Sequence, residues 1–549
     1  MKIKTVLALF LCAVIMTALL AGCGSSPASE PAETPAESAE AEPAAEELAP
    51  ELSQEQASQV SLGSPNSLAG RSDMKYVLIY NPAMWDEHKM SRMGADMNKS
   101  LSTGDLSQQI ETRSFHRGGL EEEEPEFKLY DQPVFEGFPE EVVPAPESMR
   151  SGGLPPIYEV GEKHDFYIGL SFRRLETLEC LYVGETCCVW GLNGCISAEQ
   201  AARYGAEFDQ VIYPADVETF GTARFTDGGR KVHILYYPFQ PYSSKDEQGV
   251  IGFFYQPDLL AYEETNSDPS LRDRTIETYK WNVDHAIINV NAEYCGEPEN
   301  EIVVYGVQAH EFQHLICFTD YFETTDNPLR SGFVPDTWLN ESMSGLIEEE
   351  LYPGVKELEG HLESLSYSYL IRTGQSLYNF KTSADEFGSD IGVYGSVYLF
   401  SQYLKQEAGP GVFHGIHDYY RYGAHTDLST AAALYYSVPE EMRRQIDERY
   451  AYPAELRFDT PEQEWMSKMT LDFYLSLLHL DDSDPAAFEL VQARKLLFSQ
   501  LDPASIQGGG RVLVATRDGH FEIPEDADYG LIYIGLDADF NPVTGICYK

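Results

Sequence analysis

Two histidines and a glutamate, His310, Glu311 and His314, form the pattern His-Glu-x-x-His, whose residue types can bind a metal ion and activate water. Residues four apart share one face of a helix, so both imidazoles can reach a single zinc ion while Glu311 lies beside it. Bound zinc would lower the pKa of its water toward neutrality and polarise a carbonyl group. Glu311 would take the proton from that water as general base and pass it to a leaving amine. The pattern predicts metal-assisted hydrolysis.

A third protein ligand is needed, because catalytic zinc usually has three protein ligands and one open position for water. The acidic candidates downstream are Asp320, Glu323, Asp326, Asp336 and Glu341. Only Glu341 lies in a strongly helical pattern, WLNESMSGLIEEEL, and a rigid element holds a ligand better than a loop does. We therefore predict one Zn²⁺ ion held by His310, His314 and Glu341.

Apolar residues at three- and four-residue spacing predict the helices that carry these groups, over 301–318, 338–351 and 394–407. The apolar stripe of the first helix continues up to the two histidines, so their side chains should point into the protein. On the second helix, Gly345 lies one turn past Glu341. Because glycine has no side chain, we expect it to let the histidine-bearing helix approach closely.

Strand patterns lie on both sides of the helices. Between 158 and 291 they are CCVWGL, QVIYPA, KVHILYYPF, VIGFFYQP and HAIINVNA. Further strands are predicted at KYVLIYNPA, at GGGRVLVATRDGHFEIP and at YGLIYIGLD. The expected fold is α+β, with a β-rich upstream portion, a helical zinc-binding portion and a small C-terminal α/β tail.

The segment HEFQH, a proline-containing connection and WLNE together resemble the gluzincin clan of zinc metallopeptidases, and most closely its hyicolysin family. Asn340-Glu341 is similar to the pair that begins the third-ligand helix across the clan, and VYGSVYLFSQYLKQEAG (393–409) resembles the helix that follows it. EFDQVIYP with Phe220-Gly221, and then GFFYQPD, look like the β portion of the same family. The resemblance covers roughly 158–450 and implies a gluzincin-like fold acting on proteins or peptides.

The chain departs from that resemblance at two positions. Gly345 stands where thermolysin-like members carry an aspartate that orients a histidine, and Ser342 replaces the usual glycine after the ligand glutamate. Glu348 is our candidate for the missing orienting carboxylate behind the zinc ligands.

The resemblance also implies an oxyanion donor and a substrate-binding strand. Clan members stabilise the oxyanion with a Tyr or His downstream of the third ligand. We favour Tyr394, for which a purely structural role in the core is the alternative, and His414 and His417 are rival candidates. The run HAIINVNA is expected to be the edge strand that pairs with an extended substrate.

The cysteines give no metal pattern. Apart from Cys12 and Cys23 near the N-terminus, seven cysteines remain, and four of them, between 180 and 195, fall in or directly after the expected hairpin TLECLYVGETCCVWGLNG without CxxC spacing. We expect small buried hydrophobic residues with room for one disulfide, whose pairing the sequence leaves open. Cys317, three residues past His314, is read as core packing rather than as a thiolate ligand.

The N-terminal residues predict export. Lys2 and Lys4 precede an apolar stretch, and Leu20-Ala21-Gly22-Cys23 resembles the bacterial lipobox, which implies a lipid on Cys23. The expected segments are a lipoprotein signal peptide at 1–22, a disordered acidic Ala/Pro/Glu tether at 23–70, an N-terminal region or pro-segment at 71–157, a β-rich portion at 158–298, a helical zinc catalytic portion at 299–450 and a C-terminal α/β region at 451–549.

The net charge of the chain limits the kinds of partner that it can bind. The chain has 38 Lys+Arg against 89 Asp+Glu, a formal net charge of −51, which argues against nucleic acid because phosphates are held by clustered basic residues. The expected membrane contact is through the N-terminal lipid only, at the outer face of the bacterial cell membrane, or in the periplasm or outer membrane if the envelope has two membranes.

Two functions fit the sequence. The first is a lipid-anchored zinc endopeptidase that acts on extracellular proteins. The second is an inactive surface binding or adhesion lipoprotein that keeps the metallopeptidase fold, and a hydrolase of non-peptide amides is a more distant third. The intact Glu311 favours an enzyme, since a purely structural metal site does not need that carboxylate.

Overall fold

The computed structural model describes residues 68, 71–83, 90–92, 158–169, 173–222, 230–242, 250–255, 258, 285–295, 301–324, 336–352, 376–378, 391–422, 429–479, 505–516, 519–524 and 527–548. Only the backbone is described for residues 90–92, 320–324, 349, 391–394, 421–422, 505, 507 and 515. The expected signal peptide, the tether apart from Leu68, and the lipidation site Cys23 lie outside these residues. Runs of strands and runs of helices follow one another along the chain, in agreement with an α+β fold.

The strands of this part of the chain are β1 (Tyr76–Tyr80), β2 (Met90–Arg92), β3 (Lys163–Ile168), β4 (Arg174–Val183), β5 (Cys187–Gly191), β6 (Val232–Tyr237), β7 (Gly252–Phe254), β8 (Ile287–Asn291), β9 (Ser505–Gln507), β10 (Arg511–Ala515), β11 (Ile532–Leu536) and β12 (Cys547–Tyr548). Its α-helices are α1 (Ala198–Glu207), α2 (Tyr213–Phe220), α3 (Glu301–Thr324), α4 (Thr337–Leu351), α5 (Ile391–Ala408), α6 (Gly411–Tyr422), α7 (Thr430–Ser437), α8 (Glu440–Arg449) and α9 (Pro461–Ser476).

A six-stranded mixed sheet supports the helical portion. Its strand order is β3-β4-β5-β6-β8-β7, with β5, β6 and β8 mutually parallel and the other pairs antiparallel. Alternate residues of a strand face opposite sides. Ile234 and Tyr236 on β6 therefore join the large core that includes α3, whereas Leu235 and Tyr237 join a second core on the other face.

Three imidazoles cluster beside the second core, of which His233 and His285 are buried and His164 is half-buried. The ring centroid of His285 lies 4.9 Å from that of His233 and 5.7 Å from that of His164. The Trp190 indole N–H donates to His233 Nδ1 at 3.0 Å, and the Tyr158 hydroxyl lies 3.1 Å from His285 Nε2. Burial lowers the pKa of His164, and burial together with the neighbouring imidazoles lowers that of His233 well below its usual value.

A second sheet joins distant parts of the chain. It is antiparallel, in the order β10-β1-β11-β12, so that β1 is an inner strand between two strands from the C-terminal end. The Tyr80 hydroxyl at the end of β1 donates to the Ser467 carbonyl of α9 at 3.2 Å. Residues near the start and the end of the folded part are therefore built into one sheet that contacts a helix.

The three predicted helices that carry or follow the site are confirmed as α3, α4 and α5, and α3 continues beyond the predicted end to residue 324. The prediction of a strand at QVIYPA, and with it the reading of EFDQVIYP as β structure, is wrong. Residues Phe208–Ile212 form a π-helical turn that leads directly into α2.

The parallel pairing of β5 with β6 explains this error. Parallel neighbours need a crossover connection, which is usually helical, and α1, the π-helical turn and α2 supply it. A capping box between Ser197 and Gln200 begins α1, and a proline lies in the first turn of α2. The β-branched and aromatic residues of this segment pack on α3 instead of pairing in a sheet. For example, the Tyr213 and Phe312 rings stack at 5.3 Å.

Among the helices of the described ranges, none combines the length and apolar character needed to cross a membrane.

Candidate metal centre

Two packed helices bring the three predicted ligands together. His310 and His314 project from α3 with their ring centroids 4.7 Å apart, and Glu341 projects from α4. His310 Nε2 lies 3.2 Å from Glu341 Oε2, and His314 Nε2 lies 3.4 Å from Glu341 Oε1. The carboxylate therefore faces both imidazoles, one with each oxygen.

The chemistry of this group fits a metal ion. One potential ligand atom from each of the three residues lies within 4.8 Å of the other two, and all three side chains are buried. Within the described part of the chain, His314 Nε2 and both Glu341 oxygens are buried without a hydrogen-bond partner. Buried polar atoms normally have partners, so converging ligand atoms without hydrogen bonds are the arrangement that a bound cation would satisfy.

Electrostatics favours charge at this point. Burial opposes ionisation of Glu341, but the neighbouring His314 and His310 outweigh it and lower the pKa of Glu341 to about 2. Burial likewise opposes protonation of His310, yet the charge of Glu348 and the contacts with Glu341 raise the pKa of His310 well above its usual value. The carboxylates of Glu341 and Glu348 therefore favour positive charge at this point.

Glu348 stands behind the first histidine. Its Oε2 lies 3.5 Å from His310 Nδ1, on the side of the ring away from Glu341, and its side chain is buried. A carboxylate in this place can fix the ring orientation of a metal-bound histidine. Gly345, in contrast, does not have the role expected from the sequence, because a Cβ built there would meet no atom within 4 Å. The two helices approach closely without needing a glycine at that position.

Glu311 lies beside the ligands and next to β7. It is 2% exposed, and burial, partly offset by the nearby His310 and His314, raises the pKa of Glu311 to about 7. A backbone hydrogen bond from Phe254 of β7 to the carboxylate acts in the opposite direction. A Cβ built on Gly252 of β7 would lie 3.5 Å from the Glu311 Cγ, so this strand passes directly by the carboxylate.

The expectation that HAIINVNA forms the edge strand is wrong. Its strand, β8, lies inside the sheet between β6 and β7, and among the described strands β7 forms the edge on this side of the sheet, with β3 at the opposite edge. Asn289 of β8 is buried between its neighbours, where it accepts a hydrogen bond from the Tyr237 hydroxyl at 3.0 Å. Strand order depends on pairing between segments, which a single run of residues does not reveal.

The other candidates are placed as follows. The backbone of Tyr394 lies in the first turn of α5, and its side chain is outside the described residues. His414 is half-buried on α6, with its Nε2 3.7 Å from Asp418 Oδ2. His417 is buried, with its ring centroid 5.3 Å from that of Phe220. Cys317 lies in the main core, as predicted.

Of the rival third ligands, the structure describes the side chain of Asp336 alone, and it is not part of the group. Asp336 is exposed at the N-terminus of α4, and the side chains of Asp320, Glu323 and Asp326 lie outside the described residues.

Sequence reasoning missed one carboxyl group close to the centre. Asp216 of α2 is fully buried, and in the described part of the chain neither of its oxygens has a hydrogen-bond partner. Burial raises the pKa of Asp216 well above its usual value, and the proximity of His310 acts against this. The residue lies almost a hundred positions upstream of the histidine pattern, and the segment was read as a strand, so no sequence signal connected it with the site.

Comparison with known proteins gives one distant similarity. No protein-family model matches the chain. Over 230 residues the chain is 27% identical to the neutral metalloprotease ShpI of Staphylococcus hyicus, and the matched segment covers 42% of this chain and 47% of that protein. The chain thus spans about half the length of the curated relative it matches. Together with the buried His-His-Glu group, this similarity supports a metallopeptidase.

Proposed function

We propose that the chain is a zinc metalloendopeptidase of the hyicolysin-like gluzincin type, which hydrolyses peptide bonds of extracellular proteins. The observation that carries this proposal is the convergence of His310, His314 and Glu341 in a buried site, with Glu311 at its side. Two nitrogen ligands and one carboxylate are a ligand set of catalytic zinc, and they leave a position open for water.

In the proposed mechanism, some residues of the site bind the metal ion and another transfers the proton. His310, His314 and Glu341 hold the ion, which when bound supplies a Lewis acid that acidifies water and polarises the scissile carbonyl. Glu311 accepts the proton of the attacking water and delivers it to the leaving amine. Glu348 orients His310 through Nδ1. Tyr394 is our proposed donor to the oxyanion.

The substrate is proposed to bind along β7. An extended peptide can add to the free edge of a sheet through main-chain hydrogen bonds. Because Phe254 of this strand bonds to Glu311, a peptide paired with β7 would place its scissile bond beside the general base. The corrected strand order therefore moves the proposed substrate strand from β8 to β7.

The proposed location is the outer face of the cell membrane, with a lipid on Cys23 and the acidic segment 23–70 as a spacer. The support for it is the signal-like N-terminus and the lipobox-like Leu20-Ala21-Gly22-Cys23. Metabolic labelling with a radioactive fatty acid tests this, and we expect label in the wild type and none in Cys23→Ala.

Casein cleavage tests the activity. Purified protein loaded with zinc should degrade casein, a chelator should abolish the cleavage, and restored zinc should recover it. Glu311→Gln should bind zinc with the wild-type stoichiometry and lose cleavage. If the wild type binds zinc but cleaves neither casein nor a mixture of extracellular proteins, the peptidase proposal fails and the binding or adhesion lipoprotein takes its place.

A further inference from the structure

Seven cysteines lie in the described part of the chain, and all are present as thiols. Four of them lie in or next to the hairpin of β4 and β5. Cys180 of β4 lies opposite Trp190 of β5, and a bulge follows between Cys180 and Tyr182. Cys188 is two residues from Trp190 and shares its side of the sheet, so Cys180 and Cys188 are diagonal neighbours on one face.

The two thiols share one core. Both side chains are buried in the second core together with Trp190 and Leu178, and the Cys180 thiol donates to the Tyr182 carbonyl at 3.6 Å. In the folded protein the interaction between the two thiols lowers the pKa of Cys180 and raises that of Cys188.

The other two cysteines of the hairpin region point elsewhere. Cys187 lies on the opposite face, in the main core, where its thiol donates to the Gly205 carbonyl at 3.6 Å. The Cys195 thiol donates to the Tyr236 carbonyl at 3.1 Å. Neighbouring strand residues face opposite sides, which separates Cys187 from both Cys180 and Cys188.

We propose that Cys180 and Cys188 are a disulfide-forming pair that locks the β4–β5 hairpin. The oxidant is a disulfide of the glutathione class. The Cys180 thiolate attacks one sulfur of that disulfide, whose S–S bond breaks and releases one thiolate. Cys188, deprotonated in turn, attacks the Cys180 sulfur of the mixed disulfide and releases the second thiolate. The pair loses two electrons and two protons, and the oxidant is reduced to two thiols.

The bond forms while the hairpin folds, since neither thiol is accessible once the second core is complete. An exported protein meets a compartment in which such bonds persist. The inference depends on the proposed export only for oxidation in the cell. An experiment on purified protein therefore tests the pair whatever the location or activity of the protein is.

Refolding and peptide mapping form the test. The full chain is reduced, refolded with oxidised and reduced glutathione, alkylated and digested without reduction by a protease that cleaves after glutamate. Cleavage after Glu179, Glu185 and Glu199 yields peptide 180–185, which contains Cys180, and peptide 186–199, which contains the other three hairpin cysteines. We expect a linked product that is lighter than the sum of the two peptides by two hydrogen atoms.

Single substitutions identify the partner. The linked product should disappear in Cys188→Ser and remain in Cys187→Ser and Cys195→Ser. Reduction should lower the midpoint of thermal unfolding by roughly 5 °C in the wild type and in Cys187→Ser, and leave it unchanged in Cys188→Ser. Unlinked peptides from the refolded wild type, or a linked product that persists in Cys188→Ser, would overturn the inference.

Discussion

The fit between β7 and α3 can be tested at Gly252. A Cβ built on this residue would lie 2.2 Å from the Val307 Cγ1 and 3.0 Å from the Asn289 carbonyl oxygen. The first distance is well inside van der Waals contact, and Val307 is a β-branched residue in the main core with little freedom to rotate. Alanine at position 252 must therefore push β7 away from α3.

We expect Gly252→Ala to lower the free energy of unfolding by about 1–3 kcal/mol, the usual cost of an added methyl group in a packed core. The displacement would also lengthen the hydrogen bond between Phe254 and the Glu311 carboxylate. The kcat for casein or a peptide substrate should therefore fall together with stability. Urea unfolding and peptide hydrolysis, each followed on the same zinc-loaded sample, measure the two effects.

Two further variants make this prediction specific. Val307→Ala removes the clashing methyl groups, so the double variant should be less destabilised than the sum of the single variants by about 1 kcal/mol or more. Gly345→Ala is the matched control, because the position is helical and open, and it should gain about 0.5–1 kcal/mol from the better helix propensity of alanine. Wild-type stability and activity in Gly252→Ala, or strict additivity with Val307→Ala, would refute the reasoning.

Further predictions concern the metal ion, a buried network and pH. Glu341→Gln should weaken zinc binding at least tenfold in a competition titration with a chromogenic chelator, because it removes the anionic ligand, and unchanged affinity would exclude Glu341 from the site. Asp472 accepts hydrogen bonds from Tyr403 and Tyr450 at 2.8 and 2.6 Å. Asp472→Ala should cost about 3–5 kcal/mol in urea unfolding, whereas Glu441→Ala, at an exposed ion pair, should leave the urea midpoint unchanged. Folding lowers the pKa of His233, so below about pH 6.5 the unfolded chain binds more protons than the folded protein does. The free energy of unfolding should therefore fall as the pH drops below about 6.5. His233→Gln should make the urea midpoint less dependent on pH between about 7 and 5.

The ligands could be predicted because their geometry is local. The spacing of His310 and His314 is a property of one helix, and the pattern around Glu341 identified a second helix without any knowledge of the fold. What the sequence could not give is the order in which segments pair. The sequence predicts strands at both β7 and β8, and only their pairing makes β7 the strand that passes Glu311. The prediction that Gly345 permits the close approach of α3 was wrong for the same reason, since the direction from which α3 approaches depends on the tertiary structure.

The segment from Phe208 to Phe220 illustrates how tertiary context overrides local propensity. Its valine, isoleucine and aromatic residues favour a strand by composition. The parallel pairing of β5 with β6 nevertheless requires a crossover here, and the same apolar residues then serve to bury α2 against α3. The proximity of Asp216 to His310 results from this packing and could not be predicted from the sequence.

The inner position of β1 bears on the extent of the folded protein. Residues 71–157 could be regarded from the sequence as one separable N-terminal region. In the structure, each residue from Tyr76 to Tyr80 is paired on one side with β10 and on the other with β11. Loss of β1 would expose the facing edges of both strands and remove Val77 and Ile79 from a core built largely of C-terminal residues. Exposed edges of this kind promote aggregation, so any cleavage that leaves the C-terminal sheet intact must leave β1 in place.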